Sequence, residues 1–438
     1  MTAYTVTATP GGASVTVPGT DRSALLTGLV NGTTYTLTVT ATNLVGDGPV
    51  SGPSLPVVPT VSGGLAAVTP VRILDTRVGV AANPTSTILP AGGSVRIRVA
   101  GVAGSPVPAG ASSVAANLTV LAGGSPGHLE VVGTSSSLIN FAPRQTVANV
   151  AVLRLDSDGS VRLRNAASGP VHVIVDVQGY VSTSAQERWH ALSPTRLVDT
   201  RAGVTANPRA TPLGPGESLE VAVAASTTVD SPVAEGAAAA ALRLTVVGQT
   251  RIGHLTVSDG AATTASALNF VPGAPVGNLA LARLSPTGRV IVTNHSAGTV
   301  HLVIDAVGEA VAAGSNWTPV TPMRLFDTRV GTVANARATA IAPYETVRIQ
   351  VAGGTGTSVP TGATAAGVNV TVTGSTAAGW VATAATGIPT VPVVNFSRGQ
   401  TLAGFTVQSV AADGTVMLRN GSAGTVHVVV DAMGYTAP

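Results

Sequence analysis

Charged residues recur in one hexapeptide that the chain uses three times. The copies are Arg72-Ile73-Leu74-Asp75-Thr76-Arg77, Arg196-Leu197-Val198-Asp199-Thr200-Arg201 and Arg324-Leu325-Phe326-Asp327-Thr328-Arg329. Each copy sets two arginines close enough to one aspartate for charge-assisted, bidentate pairing. Such a set could recognise an acidic sugar or form an internal ion pair. We favour the internal pair: the motif aspartate caps a turn, and an arginine reaches the aspartate of the repeat's last strand (Asp176, Asp305 or Asp431).

The hexapeptide marks the start of a repeated domain. Its copies lie 124 and 128 residues apart, and a motif kept while its surroundings drift is typical of tandem domains. We predict an amino-terminal domain over 1–62 and repeats over 63–182, 183–311 and 312–438, with a short linker at 61–64. The short connections between repeats favour a semi-rigid row.

Strand signals dominate each repeat. Short apolar runs such as 94–99 and 117–120 alternate with turn residues, and no helical period is present. The turns Asp158-Gly159, Thr287-Gly288 and Asp413-Gly414 each predict a closing hairpin. The sequence therefore predicts an all-β protein of tandem antiparallel β-sandwiches.

Composition narrows the class of protein. Only 10% of the 438 residues are charged, the net charge is +3, and all 23 basic residues are arginines scattered along the chain. Such a distribution argues against nucleic acid as a partner. With no cysteine there is neither a disulfide nor a thiolate metal site. No apolar stretch is long enough to span a membrane, and residues 1–20 lack the pattern of a signal peptide.

The histidines do not predict a metal site. His172, His301 and His427 each lie four residues before the closing aspartate, so the two side chains share a strand face opposite the valine core. One imidazole and one carboxylate are too few ligands. His128 and His254 could add another ligand, but the third repeat has Trp380 there. No catalytic motif is found, so we predict no enzyme activity, no cofactor and no metal.

Residues 1–60 resemble the fibronectin type III family. The resemblance lies in the run 29–35 (Leu-Val-Asn-Gly-Thr-Thr-Tyr) and in Ala41-Thr42-Asn43 before a glycine-rich turn. It implies that Tyr35 ties the corner of the fold to its own backbone. It covers the last five strands of a seven-stranded sandwich, including one from Leu25 to Leu29. We expect the first two strands to come from a longer polypeptide or from another subunit.

The repeats resemble a module of secreted and surface proteins of actinobacteria. That module opens on Arg-Leu-Leu-Asp-Thr-Arg and closes on Val-Asp-Val-x-Gly-Tyr, and no activity is associated with it. The second repeat departs from it, with Gly308-Glu309 in place of Gly179-Tyr180 and Gly434-Tyr435.

Together these features predict a non-catalytic structural or assembly protein at the bacterial cell exterior, such as a stalk, fibre or sheath subunit. A carbohydrate-binding or adhesive module of a larger secreted protein is the alternative. The few charges favour self-association or contact with other surface proteins, and cell-wall polysaccharide is a further candidate partner. Trp189 and Trp317 precede repeats two and three, where we expect them to pack at domain junctions.

Overall fold

The chain forms two compact units, Met1–Val61 and Ser62–Pro438. The structure is a computed structural model that describes residues 1–24, 26–27, 29, 33–54, 57, 59, 62–134, 136–227 and 229–437. These residues form 27 β-strands and no helix, so the predicted all-β class is confirmed. The described part of the chain accordingly holds no helix that could cross a membrane.

The first unit contains a three-stranded antiparallel sheet. Its strands are β1 (Ala3–Thr9), β2 (Ser14–Pro18) and β3 (Thr36–Thr42), in the order β2-β1-β3. Tyr35 is buried and exchanges two backbone hydrogen bonds with Val57. Among the described residues, three of the five predicted strands are observed, together with this bridge. The predicted strand from Leu25 to Leu29 and the Asn31-Gly32 turn fall largely outside the described residues.

The second unit contains eight strands in each repeat. In repeat one they are β4 (Gly64–Asp75), β5 (Ser94–Arg98), β6 (Ser113–Ala122), β7 (Gly127–Val131), β8 (Ser137–Phe141), β9 (Thr146–Arg154), β10 (Ser160–Asn165) and β11 (Val171–Ser182). In repeat two they are β12 (Arg188–Asp199), β13 (Ser218–Ala222), β14 (Ala239–Val247), β15 (Gly253–Ser258), β16 (Leu268–Phe270), β17 (Val276–Arg283), β18 (Arg289–Asn294) and β19 (His301–Val311). In repeat three they are β20 (Asn316–Asp327), β21 (Thr346–Gln350), β22 (Ala365–Thr373), β23 (Gly379–Ala384), β24 (Pro392–Phe396), β25 (Leu402–Ser409), β26 (Thr415–Asn420) and β27 (His427–Ala437).

Every repeat has the same strand order. Repeat one pairs its strands as β4-β11-β6-β9 and β5-β10-β7-β8, and repeats two and three reproduce both orders. Numbered within a repeat, the two sheets read 1-8-3-6 and 2-7-4-5, which is the jelly-roll arrangement of two four-stranded sheets. Each β-sandwich is therefore a jelly roll.

Residues 62–64 of the predicted linker belong to this unit. Gly63 exchanges two backbone hydrogen bonds with Trp317, and Gly64 begins β4. Gly63 therefore joins the start of repeat one to repeat three, as a strand does.

The three jelly rolls surround a common axis. Strands β9, β17 and β25, which occupy the same place in each repeat, all contact one another. A single apolar cluster includes buried residues from all three repeats, whereas repeats two and three keep further clusters of their own. The expected row is therefore wrong: the repeats close into one unit around shared apolar surface.

The ring buries both faces of the central strands in the sheet β4-β11-β6-β9. In β11 the valine face is buried, as predicted, but Ile174 and Asp176 on the other face are 5% and 0% exposed. The predicted polar face of this strand is therefore not a solvent face at these positions. The sequence pattern of one repeat could not reveal this, because the covering residues come from other parts of the unit.

The Asp-Gly turns are tight but do not close hairpins. Gly159 has a φ of 74°, and its backbone nitrogen donates to the carbonyl of Asp156. The strands on either side, β9 and β10, lie in different sheets of the jelly roll. The predicted hairpin is therefore a crossing between sheets.

Candidate functional site

In each repeat, the second arginine of the hexapeptide forms an ion pair with the hexapeptide aspartate within the turn. Arg77 donates to Asp75 through its backbone nitrogen (3.0 Å), Nε (2.9 Å) and a terminal nitrogen (2.7 Å). The equivalent Nε distances are 2.8 Å for Arg201–Asp199 and 2.8 Å for Arg329–Asp327. The turn that ends the first strand is thus held by a forked ion pair.

The first motif arginine joins this turn to the last strand. Nε of Arg72 donates to Asp176 at 2.9 Å, and the same guanidinium contacts Asp75 at 3.4 Å. The matching Nε distances are 2.6 Å for Arg196–Asp305 and 3.0 Å for Arg324–Asp431. Each repeat therefore contains a chain of alternating charges.

The two kinds of aspartate experience opposite effects. The hydrogen bond from the side chain of Arg201 lowers the pKa of Asp199 to about 2, and the Arg77 side chain likewise lowers the pKa of Asp75. At Asp327 burial opposes this effect, but the hydrogen bonds from Arg329 prevail and lower its pKa.

The closing-strand aspartates lie deeper. Burial raises the pKa of Asp176, Asp305 and Asp431, although an arginine partner counteracts it in each case. These carboxylates depend on the first arginine of the hexapeptide to remain charged in an apolar setting.

The motif threonine and asparagine complete the same connection. Oγ1 of Thr76 accepts from the backbone nitrogen of Val173 at 2.9 Å and lies 3.1 Å from Nδ1 of His172. The side chain of Asn83 donates to the carbonyls of Ile73 and Arg98 and accepts from the Arg98 nitrogen. The histidines therefore contact the motif of their own repeat.

The other histidines do not assemble a metal site. His254 stacks on His295 with ring centroids 4.9 Å apart, and His128 contacts Glu130 at 3.4 Å. Burial is the main cause that lowers the pKa of His254. Among the described residues no group of three or more potential ligands is close enough to hold a metal ion.

Trp189 and Trp317 lie at the ring axis. They occupy the place that Leu65 takes in repeat one, are 4% and 3% exposed, and share a cluster with residues of every repeat. A Cβ on Gly308 would overlap the Trp189 ring, and one on Gly434 would overlap Trp317. The glycine of the closing motif thus provides the space that these rings need.

Glu309 stands in repeat two where the other repeats have the closing tyrosine, and it contacts His190 and Ala234. It is 3% exposed, lies 2.8 Å from Nδ1 of His190 and accepts from the backbone nitrogen of Ala234 at 2.6 Å. Both contacts stay within repeat two.

Polar side chains that sequence reasoning missed join the repeats. Asn117 of repeat one accepts from Asn278 of repeat two at 2.9 Å, and Asn369 of repeat three accepts from Asn149 of repeat one at 2.9 Å. At the third boundary the corresponding residues are Arg243 and Gly404. Arg243 is 2% exposed and donates to the carbonyls of Val393 (3.2 Å) and Phe405 (2.7 Å).

An alignment of the three repeats shows that the residues at this boundary differ from those at the other two. Arginine stands where the other copies have asparagine, and glycine stands where its partners have asparagine. Burial lowers the pKa of Arg243 to about 10, which leaves the side chain charged at neutral pH.

A pocket of about 470 Å³, the axial pocket, lies where loops of all three repeats meet. Repeat one contributes Arg144 and Gln145, repeat two the segment from Val271 to Pro275, and repeat three Asn395 and Gln400. Its volume falls in the usual range for small-molecule sites. No sequence motif marks it, because each repeat supplies only part of it.

Comparison with known proteins identifies one family. The fibronectin type III family model matches residues 1–57, which supports the partial domain expected there. No curated protein sequence matches the chain. The fibronectin type III match over residues 1–57 and the all-β fold together suggest a structural or adhesive β-rich protein.

Two solved structures of archaeal viruses show a weak likeness. One is described as the atomic structure of Sulfolobus turreted icosahedral virus, with 9% identity, 80% of this chain and 85% of that chain covered, and a TM-score of 0.18. The other is described as a triple jelly roll fold and turret assembly in an archaeal virus, with 9% identity, coverage of 86% and 90%, and a TM-score of 0.18. The jelly rolls of this chain are defined by their strand order and not by this likeness.

Proposed function

We propose that this chain is a non-catalytic structural or assembly protein of a bacterial cell exterior, as a subunit of a fibre, stalk or sheath. The observation that carries the proposal is that the motif arginines and aspartates, the residues best suited to bind a ligand, are paired with one another. In every repeat the motif arginines and aspartates pair within their own jelly roll. Internal ion pairs of this kind stabilise each jelly roll, as a structural subunit requires.

The form of the second unit supports the same role. Three degenerate jelly rolls that share apolar surface at one axis give a rigid block with few charges. Low surface charge favours lateral contact between copies or with other surface proteins, because little repulsion keeps them apart.

A carbohydrate-binding or adhesive module of a larger secreted protein is the second candidate. The observation that favours it is the axial pocket, which is large enough for a ligand and belongs to no single repeat.

Protease treatment of intact cells that produce the chain, followed by negative-stain microscopy of the native material, tests the proposal. We expect an externally accessible protein that is present in regular assemblies. Protection from protease together with a purely monomeric native form would contradict both the location and the assembly role.

A further inference from the structure

The axial pocket departs from the symmetry of the ring that forms it. Arg144 lines it from repeat one, whereas repeats two and three have Gly273 and Gly399 at that place. Of the lining residues that the structure describes, none carries a carboxylate, and Arg144 supplies the only formal charge among them. A single cation at one side of the axis suits one asymmetric, anionic ligand.

Two glutamines add hydrogen-bond donors. Oε1 of Gln145 accepts from the backbone nitrogen of Ala142 at 2.8 Å, and Oε1 of Gln400 accepts from that of Ser397 at 2.9 Å. With each oxygen engaged by a backbone nitrogen, the amide Nε2 is the group that each side chain can offer to a ligand. The corresponding residue of repeat two is Ala274, which leaves room on that side.

Asn395 adds a third amide for a different reason. Its counterparts Asn140 and Asn269 donate to the hydroxyls of Ser137 and Ser266 at 3.0 and 3.1 Å. Repeat three has Pro392 in place of that serine, so Asn395 lacks the hydroxyl partner. Of the three equivalent asparagines, Asn395 is therefore the one without a serine hydroxyl as its partner, and it lines the pocket.

We propose that this pocket binds an acidic oligosaccharide, with a sugar carboxylate on Arg144 and hydroxyls on the amides of Gln145, Gln400 and Asn395. The exposed faces of Val271, Pro272 and Pro275 provide apolar surface for the C–H face of a sugar ring. The inference rests on the carbohydrate-binding candidate named above, which the same pocket supports, and goes beyond the structural role proposed there.

A peptide with a free carboxyl end fits these observations less well. Its backbone N–H groups need acceptors, but both glutamine oxygens are already engaged, so of the three amides only Asn395 can offer its oxygen. A uronic acid presents a carboxylate that only accepts and hydroxyls that can both accept and donate, which matches a donor-rich lining.

Isothermal titration calorimetry of the full chain with a trimer of galacturonic acid tests the proposal. We expect measurable binding that is lost when the carboxylates are methyl-esterified. Arg144→Gln should weaken binding about tenfold or more, because a charge-assisted hydrogen bond is removed. Ala274→Trp should abolish binding by filling the pocket.

The matched control is Arg162→Gln, which removes an exposed arginine of β10 that does not line the pocket and should leave binding unchanged. Unchanged melting temperatures of the variants show that the fold is intact. Absence of binding by the wild-type chain, or equal binding by Arg144→Gln, would overturn the proposal. Equal, Arg144-dependent binding of Ala-Ala-Ala would overturn it in favour of a peptide. None of these outcomes affects the protease and microscopy test of the structural role.

Discussion

The guanidinium of Arg243 donates to the carbonyl oxygen of Val393 at 3.2 Å, across the boundary between repeats two and three. The carbonyls at the same place in the other repeats, those of Leu138 and Ala267, are instead satisfied by Asn149 and Asn278 of their own repeats. Repeat three has Gly404 there, so the donor comes from its neighbour. One boundary therefore uses an arginine and a glycine where the other two use a pair of asparagines.

This exchange predicts coupling between Arg243 and Gly404. Arg243→Asn should destabilise the second unit by about 2–4 kcal/mol, because it leaves buried carbonyls without donors and opens space. Gly404→Asn alone should also destabilise it, because a Cβ there would lie 2.6 Å from the Val393 carbonyl oxygen. The double variant restores the asparagine pair, so chemical denaturation should show it more stable than the summed single effects by at least about 1 kcal/mol. Strict additivity of the two effects would argue against a specific pair.

The two motif arginines should contribute unequally. Arg196→Ala leaves the buried carboxylate of Asp305 without its partner and should cost about 3 kcal/mol or more. Arg201→Ala removes a side chain that is 48% exposed, so a cost of about 1 kcal/mol is expected. Denaturant melts of the two variants provide the comparison, with Arg201→Ala as the control. A larger loss for Arg201→Ala would reverse the assignment.

Acid should weaken the motif turn in a defined pH range. The folded-state pKa of Asp199 is about 2, below its ordinary value of 3.8, so the folded protein favours the carboxylate. Its stabilisation is therefore complete above about pH 4 and is lost as the pH falls through about 2. The melting temperature of the wild-type chain should fall over this range, and Asp199→Asn should show a shallower fall. Identical slopes would show that this carboxylate is not linked to folding.

Trp189 should tolerate replacement by phenylalanine but not by alanine. The indole nitrogens of Trp189 and Trp317 are buried and have no hydrogen-bond partner in the structure. Trp189→Phe keeps most of the apolar contact and removes the unsatisfied donor, so its effect should stay below about 1.5 kcal/mol. Trp189→Ala should cost about 3–5 kcal/mol. Similar costs for both would mean that the indole nitrogen is satisfied in solution, for example by an ordered water.

Patterns that act within one repeat could be read from the sequence. The all-β class follows from strand alternation and turns, and the spacing of arginine and aspartate in the hexapeptide indicates an ion pair. The jelly-roll strand order could not be predicted. The turn Asp158-Gly159 has the same local chemistry whether it joins two strands of one sheet or strands of two sheets. The ring was also hidden, because Ile174 and Asp176 show the alternation of a half-exposed strand although other parts of the unit bury them.

The axial pocket was hidden for a related reason. Arg144, Gln400 and Ala274 lie far apart in the chain and belong to no shared motif. They come together only because three turns converge at one axis, which a pattern within one repeat does not encode. The exchange of Asn for Arg at position 243 was visible in the aligned repeats, but its meaning depended on knowing which repeats touch.

Differential scanning calorimetry of the intact chain tests the closed ring most directly. Because each jelly roll covers apolar surface of the others, we expect residues 62–438 to unfold in one cooperative transition, with equal calorimetric and van't Hoff enthalpies. Trp317→Ala, a change in repeat three, should lower the temperature of that whole transition. Three separable transitions, of which only one responds to Trp317→Ala, would contradict the shared core.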